Sequence, residues 1–574
     1  MTLPVLATDT IETTDSDALW WRSAVIYQVY VRSFADGNAD GTGDLAGVRA
    51  HLGYLKDLGV DAIWFNPWYP SPLADGGYDV SDYRDIHPAF GTLREAELLI
   101  AEALALGIRT IIDIVPNHVS DQHPWFQAAL AAGPGSPERE RFWFHPGAGE
   151  GGNEMPNHWV SNFSGDTWTR TTNPDGSQGE WYLHLFTPEQ PDLNWNHPDV
   201  RREHEEILRF WFDRGVAGVR IDSAALLVKA AGLPEVPEAP GPGEHPNTDR
   251  DELHQIYRDW RAIADSYEGT RVLVGELWLP DAERFAKYLR PDEMHTAFNF
   301  DFMTRPWDAA ELRTSIDQTL AAHAPVGAPS TWVLSNHDIT RPVTRYGRDD
   351  SSFDFLKKRI GTPTDLELGV RRARAAALLT AALPGSLYIY QGDELGLPEA
   401  EGIPAALIQD PMHFRSGGVD PGRDGCRVPL PWRGTEPPFG FSADAAEAAN
   451  GAQPWLPQPS EWATLTVQAQ ESDPRSMLWL YRQALRTRKR EAALGDGGLH
   501  WLPSDPDVLA FARGDRFVNV TNLSSAAIPL PAHDSILLSS SALDGGLLPA
   551  QATVWLRVSP QHPQHHKHTE RIRQ

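Results

Sequence analysis

Eight short runs rich in β-branched and aromatic residues alternate along this chain with segments of amphipathic helical pattern. They fall at about 24–34, 62–67, 107–115, 216–222, 271–277, 295–302, 331–338 and 385–391. Strands alternating with helices imply parallel βαβ units, and eight such units make an α/β fold, the (β/α)8 TIM barrel. The segment HPDVRREHEEILRFWFDRG illustrates the helical half: an N-cap-like Asn196 precedes His197 and Pro198, Ile207, Phe210 and Trp211 recur at helical spacing, and Gly215 ends it.

Three of the runs end on a carboxylate: GVRIDS at Asp222, VLVGELW at Glu276 and WVLSNHD at Asp338. In a barrel, the C-terminal ends of different strands converge on one site. A glycosidic bond breaks when a carboxylic acid protonates the leaving oxygen while a carboxylate stabilises or traps the anomeric carbon, so a pair of carboxyls must flank it. Arg220 lies two residues before Asp222 and so on the same strand face. A cation there favours the ionised carboxylate, the form a nucleophile needs. Glu276 must instead keep a proton, which burial beside apolar neighbours such as Trp278 favours. A separation of roughly 5–5.5 Å between the two is expected for retention of configuration through a covalent intermediate.

From Ala24 to about Pro560 the chain resembles the α-amylase family of glycoside hydrolases, family 13, in its α-glucosidase and oligo-1,6-glucosidase branch. The resemblance implies Asp222 as nucleophile, Glu276 as general acid/base and Asp338 as the carboxylate that grips sugar hydroxyls. It also implies His118 of DIVPNH and His337 of SNHD as hydroxyl-binding residues, while Asp113 and Asn117 suit either the loop or the substrate. In exo-acting members the counterparts of Asp75, from LADGGYDVSDY, and Arg427, from GRDGCRVPLPW, close the far side of the terminal-glucose subsite. Tyr78 offers that sugar an aromatic face. The segment QPDLNW, residues 190–195, resembles the marker of members that act on short oligosaccharides. Ser223 stands where α-1,6-cleaving members tend to carry Val and α-1,4-cleaving ones Ala, and its small side chain leans towards α-1,4.

The implied organisation is a barrel in two parts, 1–118 and 192–490, with a long insertion near 393–470. An inserted domain B over 119–191 is rich in Gly, Pro, Asn and Trp. The alternation in VLAFARGDRFVNVTNL suggests a C-terminal antiparallel β-sandwich over 491–560. The tail 561–574 reads as disordered; its His562, His565, His566 and His568 suit a solvated terminus or a metal. In the loop DGNADGTGD, Asp36, Asn38, Asp40, Thr42 and Asp44 follow oxygen-ligand spacing. Gly47 stands where an EF-hand would place its glutamate. Family members bind a structural Ca²⁺ through matching residues, so a structural Ca²⁺ (or Mg²⁺) is expected here, and no organic cofactor.

The net charge of −28 repels nucleic acid and anionic membranes and leaves neutral sugars unaffected. The one cysteine, Cys426, forms no internal disulfide, and the N-terminal stretch lacks the basic and apolar regions of a signal peptide. A cytoplasmic enzyme is expected, its oligomeric state open. The leading expectation is a retaining, exo-acting α-glucosidase on short, maltose-like α-glucosides. A transglucosidase or a sucrose- or trehalose-acting relative would share the intermediate. A non-catalytic amylase-like binding protein would carry a membrane segment and lose catalytic carboxylates, and this chain has neither mark.

Overall fold

The computed structural model describes residues 18–173, 175–354, 360–442 and 453–559. Each expected run contains one strand of a single parallel sheet: β1 Val25–Val29, β2 Ala62–Phe65, β3 Arg109–Ile114, β4 Gly218–Ile221, β5 Val272–Gly275, β6 Thr296–Ala297, β7 Thr331–Val333 and β8 Ser386–Tyr390. Their order is β7-β8-β1-β2-β3-β4-β5-β6, which leaves one seam, between β6 and β7, without a backbone ladder. Across it the Thr331 hydroxyl donates to the Ala297 carbonyl at 2.5 Å, so a side chain bridges the nearly closed barrel. The strands are buried on both faces, which is why they read as continuous apolar runs and not as an alternation. Ile26, Trp64, Ile111, Val274, Val333 and Tyr388 belong to one interior cluster, so the barrel is packed and not a pore.

Several strands are shorter than their runs, and the local chemistry explains where they stop. In the run 295–302 the Asn299 side chain accepts the Phe302 N–H at 3.0 Å and starts the helix Phe300–Thr304. The helix in HPDVRREHEEILRFWFDRG spans Pro198–Phe212 and is capped by His197, not Asn196: the His197 ring accepts the Asp199 N–H at 3.1 Å. Pro198 occupies the first helical position, where its missing N–H costs nothing.

Between β3 and that helix the chain leaves the barrel to form a lobe with a three-stranded antiparallel sheet, Phe144–His145, Gln178–Leu183 and Trp168–Thr172. A bridge between His118 and Asp192 ties its two ends. After β8, the short helix Pro411–Arg415 reaches the same lobe. The Arg415 guanidinium donates to the Ser164 and Asp166 carbonyls at 3.0 and 2.9 Å.

The C-terminal part is antiparallel, with a five-stranded sheet that includes Val508–Arg513, Phe517–Asn522 and Ala552–Arg557, and a two-stranded ribbon. It packs on the barrel helix Leu366–Ala382, whose alanines let the sheet come close: the buried Trp555 donates to the Leu378 carbonyl at 3.1 Å and Thr553 to that of Ala375 at 2.8 Å. The four tail histidines lie outside the described residues. No described helix is long and apolar enough to cross a membrane.

Candidate active site

A pocket of about 400 Å³ opens at the C-terminal ends of the strands, lined by Asp75, Tyr78, Asp222, Glu276, Asp338 and Arg423 among others. Arg220 extends from β4 beneath this pocket, with its side chain 1% exposed. One terminal nitrogen of its guanidinium bonds Asp222 Oδ1 at 2.6 Å and Asp113 Oδ1 at 2.8 Å, and the other meets Glu276 Oε2 at 2.7 Å. Ser223 ties the same two carboxyls: its N–H donates to Glu276 Oε2 at 2.8 Å and its hydroxyl to Asp222 Oδ2 at 2.9 Å. The serine sits at φ +47, a left-handed backbone that turns the chain sharply after the strand.

Burial and the ion pairs sort the carboxyls. Burial pushes Glu276 up to about 8, with the charges of Asp222 and Asp338 adding to the rise against the pull of Arg220. Burial raises Asp222 less, to about 6, because Arg220 opposes it and hydrogen bonds from Ser223 and Glu276 lower it further. At neutral pH the first therefore holds a proton and the second is mostly ionised. Burial also pushes Asp338 up, but His337, Arg423 and Arg427 outweigh it and hold this carboxyl below the usual range. Burial keeps His337 itself well below its ordinary value, hence neutral, so the two guanidiniums carry the effect.

Tyr78 stacks on His337 with ring centroids 5.4 Å apart. Its hydroxyl donates to Asp113 at 3.0 Å and lies 2.7 Å from His337 Nε2, while Gln28 donates to the other ring nitrogen at 2.8 Å. Both nitrogens of His337 thus have protein partners, which fix its tautomer with the proton on Nε2. His118 lies in the same pocket wall, held neutral by burial. Asn117 is not among the pocket-lining residues, and its side-chain Oδ1 accepts from the buried Lys229 at 2.7 Å. Lys229 also pairs with Asp192 of QPDLNW at 2.7 Å.

The expected pairing of Asp75 with Arg427 is not made. Asp75 Oδ1 is held at 2.6 Å by Arg423, four residues earlier in the same motif. Arg427 instead bonds Asp338 Oδ1 at 3.0 Å and the His337 carbonyl at 2.8 Å, beneath the pocket wall. The tight turn Asp424–Cys426 separates the two arginines: both reach Asp338 Oδ1, Arg423 at 3.2 Å, but Arg423 also holds Asp75. Arg423 is itself aimed by Asp410, whose carboxylate accepts its Nε and its backbone N–H, both at 2.6 Å. Gln190, which in sequence is only the first residue of the QPDLNW marker, donates to Asp75 Oδ2 at 3.1 Å and lies 3.0 Å from His118 Nε2. In sequence the motif offers Arg423 and Arg427 four residues apart and nothing to show which one reaches Asp75, and nothing near Asp410 points to its part in aiming Arg423.

The first βα loop lies apart from these groups. Asp36 Oδ1 accepts N–H bonds from Asn38, Ala39 and Asp40 at 3.2, 2.7 and 3.3 Å, and Oδ2 accepts from Gly41 and Ser442. Asp44 caps the helix Leu45–Ala50 through the Gly47 N–H at 2.6 Å. Asn38 and Asp40 accept from Asp40 and Thr42 in turn. The donor set is entirely oxygen, which suits a hard cation, although among the described residues no group of three His, Cys, Asp or Glu side chains is arranged to hold a metal.

Residues 28–497 match the model of the α-amylase catalytic domain. A probable α-glucosidase of Rhizobium meliloti is 34% identical over 88% of this chain and 89% of its own length. The oligo-1,6-glucosidase of Parageobacillus thermoglucosidasius is 32% identical over 92% and 94%. The crystal structure of the α-glucosyl transfer enzyme XgtA superposes with a TM-score of 0.81 at 33% identity, covering 94% of this chain and 99% of that one. With its barrel, its paired carboxyls on one guanidinium and these relatives, the chain belongs to the α-amylase family of glycoside hydrolases, family 13, and is an enzyme of the glucosidase type.

Proposed function

We propose that the protein is a retaining, exo-acting α-glucosidase that frees glucose from the non-reducing ends of short α-glucosides, leaning towards α-1,4 linkages. The observation that carries this reading is the pair of carboxyls, Glu276 and Asp222, bound to one buried guanidinium beneath a pocket whose wall includes the Asp75–Arg423 ion pair. Glu276 protonates the glycosidic oxygen as Asp222 attacks the anomeric carbon; the C–O bond to the leaving group breaks as the bond to Asp222 forms. Water then attacks the glucosyl-aspartate while Glu276 takes back a proton, and Asp338 holds the sugar hydroxyls.

Initial rates on maltose, isomaltose, sucrose and trehalose test the reading, with fastest glucose release expected from maltose. Glu276→Gln should lower turnover by roughly 10²–10⁴, and Asp222→Asn should yield no covalent adduct with an activated fluoroglucoside by mass spectrometry. Parental activity in either variant would refute the roles.

Transfer to a sugar or alcohol acceptor is the second reading. It is favoured by the similarity to an α-glucosyl transfer enzyme and by Ala225, Leu226, Met412 and Trp278 in the pocket wall, which give water few partners. New trisaccharides at high maltose would decide for it. A Ca²⁺ ion (or Mg²⁺) in the first loop would be held by Asp36, Asn38, Asp40, Asp44 and the Thr42 carbonyl, with a structural role.

A further inference from the structure

The two oxygens of Glu276 have different surroundings. Oε2 faces two groups that can only donate, the Ser223 N–H at 2.8 Å and the Arg220 guanidinium at 2.7 Å. With both of these donors in place a proton on Oε2 would have to displace one of them, even with the Asp222 carboxylate in hydrogen-bonding reach of Glu276. Oε1 meets the Trp278 indole N–H, at 3.1 Å. A protonated carboxyl oxygen still offers lone pairs, so Oε1 can carry an acidic proton and accept the indole bond together.

We infer that Trp278 is a positioning residue for proton transfer, its N–H marking Oε1 of Glu276 as the oxygen that releases and recovers the proton. The inference rests on the acid/base role of Glu276 proposed above. The ring is held in place by stacking: it lies flat on Phe300, with centroids 3.8 Å apart and planes 3° from parallel, and it lines the pocket while 39% exposed. As the proton passes from Oε1 to the glycosidic oxygen, the N–H comes to face a full negative charge, and a bond to a charged acceptor is the stronger one. The indole therefore stabilises the state reached after the acid step and keeps the same oxygen aimed for the return. As an apolar neighbour alone, Trp278 would help Glu276 keep its proton; its N–H acts in the opposite sense.

The alternative is that Trp278 serves only as an apolar wall for the leaving group. Trp278→Phe separates the two, because it keeps a flat ring against Phe300 and removes the donor. With the donor gone, kcat/KM on maltose, whose leaving sugar needs protonation, should fall about tenfold. On p-nitrophenyl α-glucoside, whose leaving group needs little, the change should stay under about threefold. The alkaline limb of the pH profile should move up by as much as about one pH unit, since a hydrogen bond to the charged form has been lost. Trp278→His, which restores a ring N–H, should recover part of the maltose rate. Equal losses on both substrates with an unmoved alkaline limb, or a histidine variant no better than phenylalanine, would overturn the assignment. Thermal melts accompany each variant, and should phenylalanine prevent folding, the histidine variant is read against the parent by the same leaving-group comparison and pH profile. A parental enzyme that turned over neither substrate would instead sink the glucosidase reading itself.

Discussion

Arg220 touches two neighbouring carboxyls to which the proposed mechanism gives opposite roles, and their other neighbours separate them: the charges of Asp222 and Asp338 raise Glu276, while hydrogen bonds from Ser223 and Glu276 lower Asp222. Two pH limits follow. Below about 6 Asp222 gains a proton and can no longer attack; above about 8 Glu276 loses its proton and can no longer donate. The profile of kcat/KM on a neutral disaccharide across roughly pH 4–10 should therefore be a bell centred near 7, and a profile that climbs steadily to high pH would contradict the assignment. The arginine clamp allows a sharper test. Arg423→Ala should raise KM for maltose by roughly tenfold or more, from lost charged hydrogen bonds, and let longer maltooligosaccharides be cut internally. Arg427→Ala, acting through Asp338, should lower kcat and leave the product pattern unchanged. Digests of maltoheptaose, resolved by chromatography, distinguish these outcomes. The residues legible in the sequence are those at strand ends, where a motif and a barrel position coincide: Asp222, Glu276 and Asp338. Arg423, Asp410 and Gln190 are not, because their contacts depend on a turn and on loops from the far side of the barrel mouth.

Among the elements, the strands are readable as runs but not in their bounds. Apolar composition persists past the last ladder bond, and only a cap such as Asn299 or the turn at Ser223 shows where the strand yields to another structure. The first βα loop shows a similar limit. Its oxygen spacing is plain in sequence, yet those oxygens also accept the loop's own N–H groups, so the loop has internal support before any cation is considered. Chelation with EDTA should lower the melting temperature by only a few degrees, an effect on the order of 1–2 kcal/mol for a bound ion in modest excess, and leave kcat/KM on maltose intact. A complete loss of activity reversed by Ca²⁺ would place the ion nearer the chemistry than the loop suggests.

For the molecule as a whole, the alanine-rich helix Leu366–Ala382 is the joint between barrel and C-terminal sheet, and the fully buried Trp555 is bonded to it. Trp555→Ala should cost about 3–5 kcal/mol of stability, seen as a lower denaturant midpoint, with KM on maltose unchanged as long as the barrel remains folded. A matching rise in KM would mean that the sheet shapes the pocket. The Asp75–Arg423 pair has a consequence for traffic. If the pair shuts that end, as the proposed exo action requires, the released aglycone and later the glucose both depart through the opening by which the substrate came in. An enzyme working by the proposed exo action could not slide along a chain; it would let go after every bond, and accumulating glucose would compete directly with the next arrival.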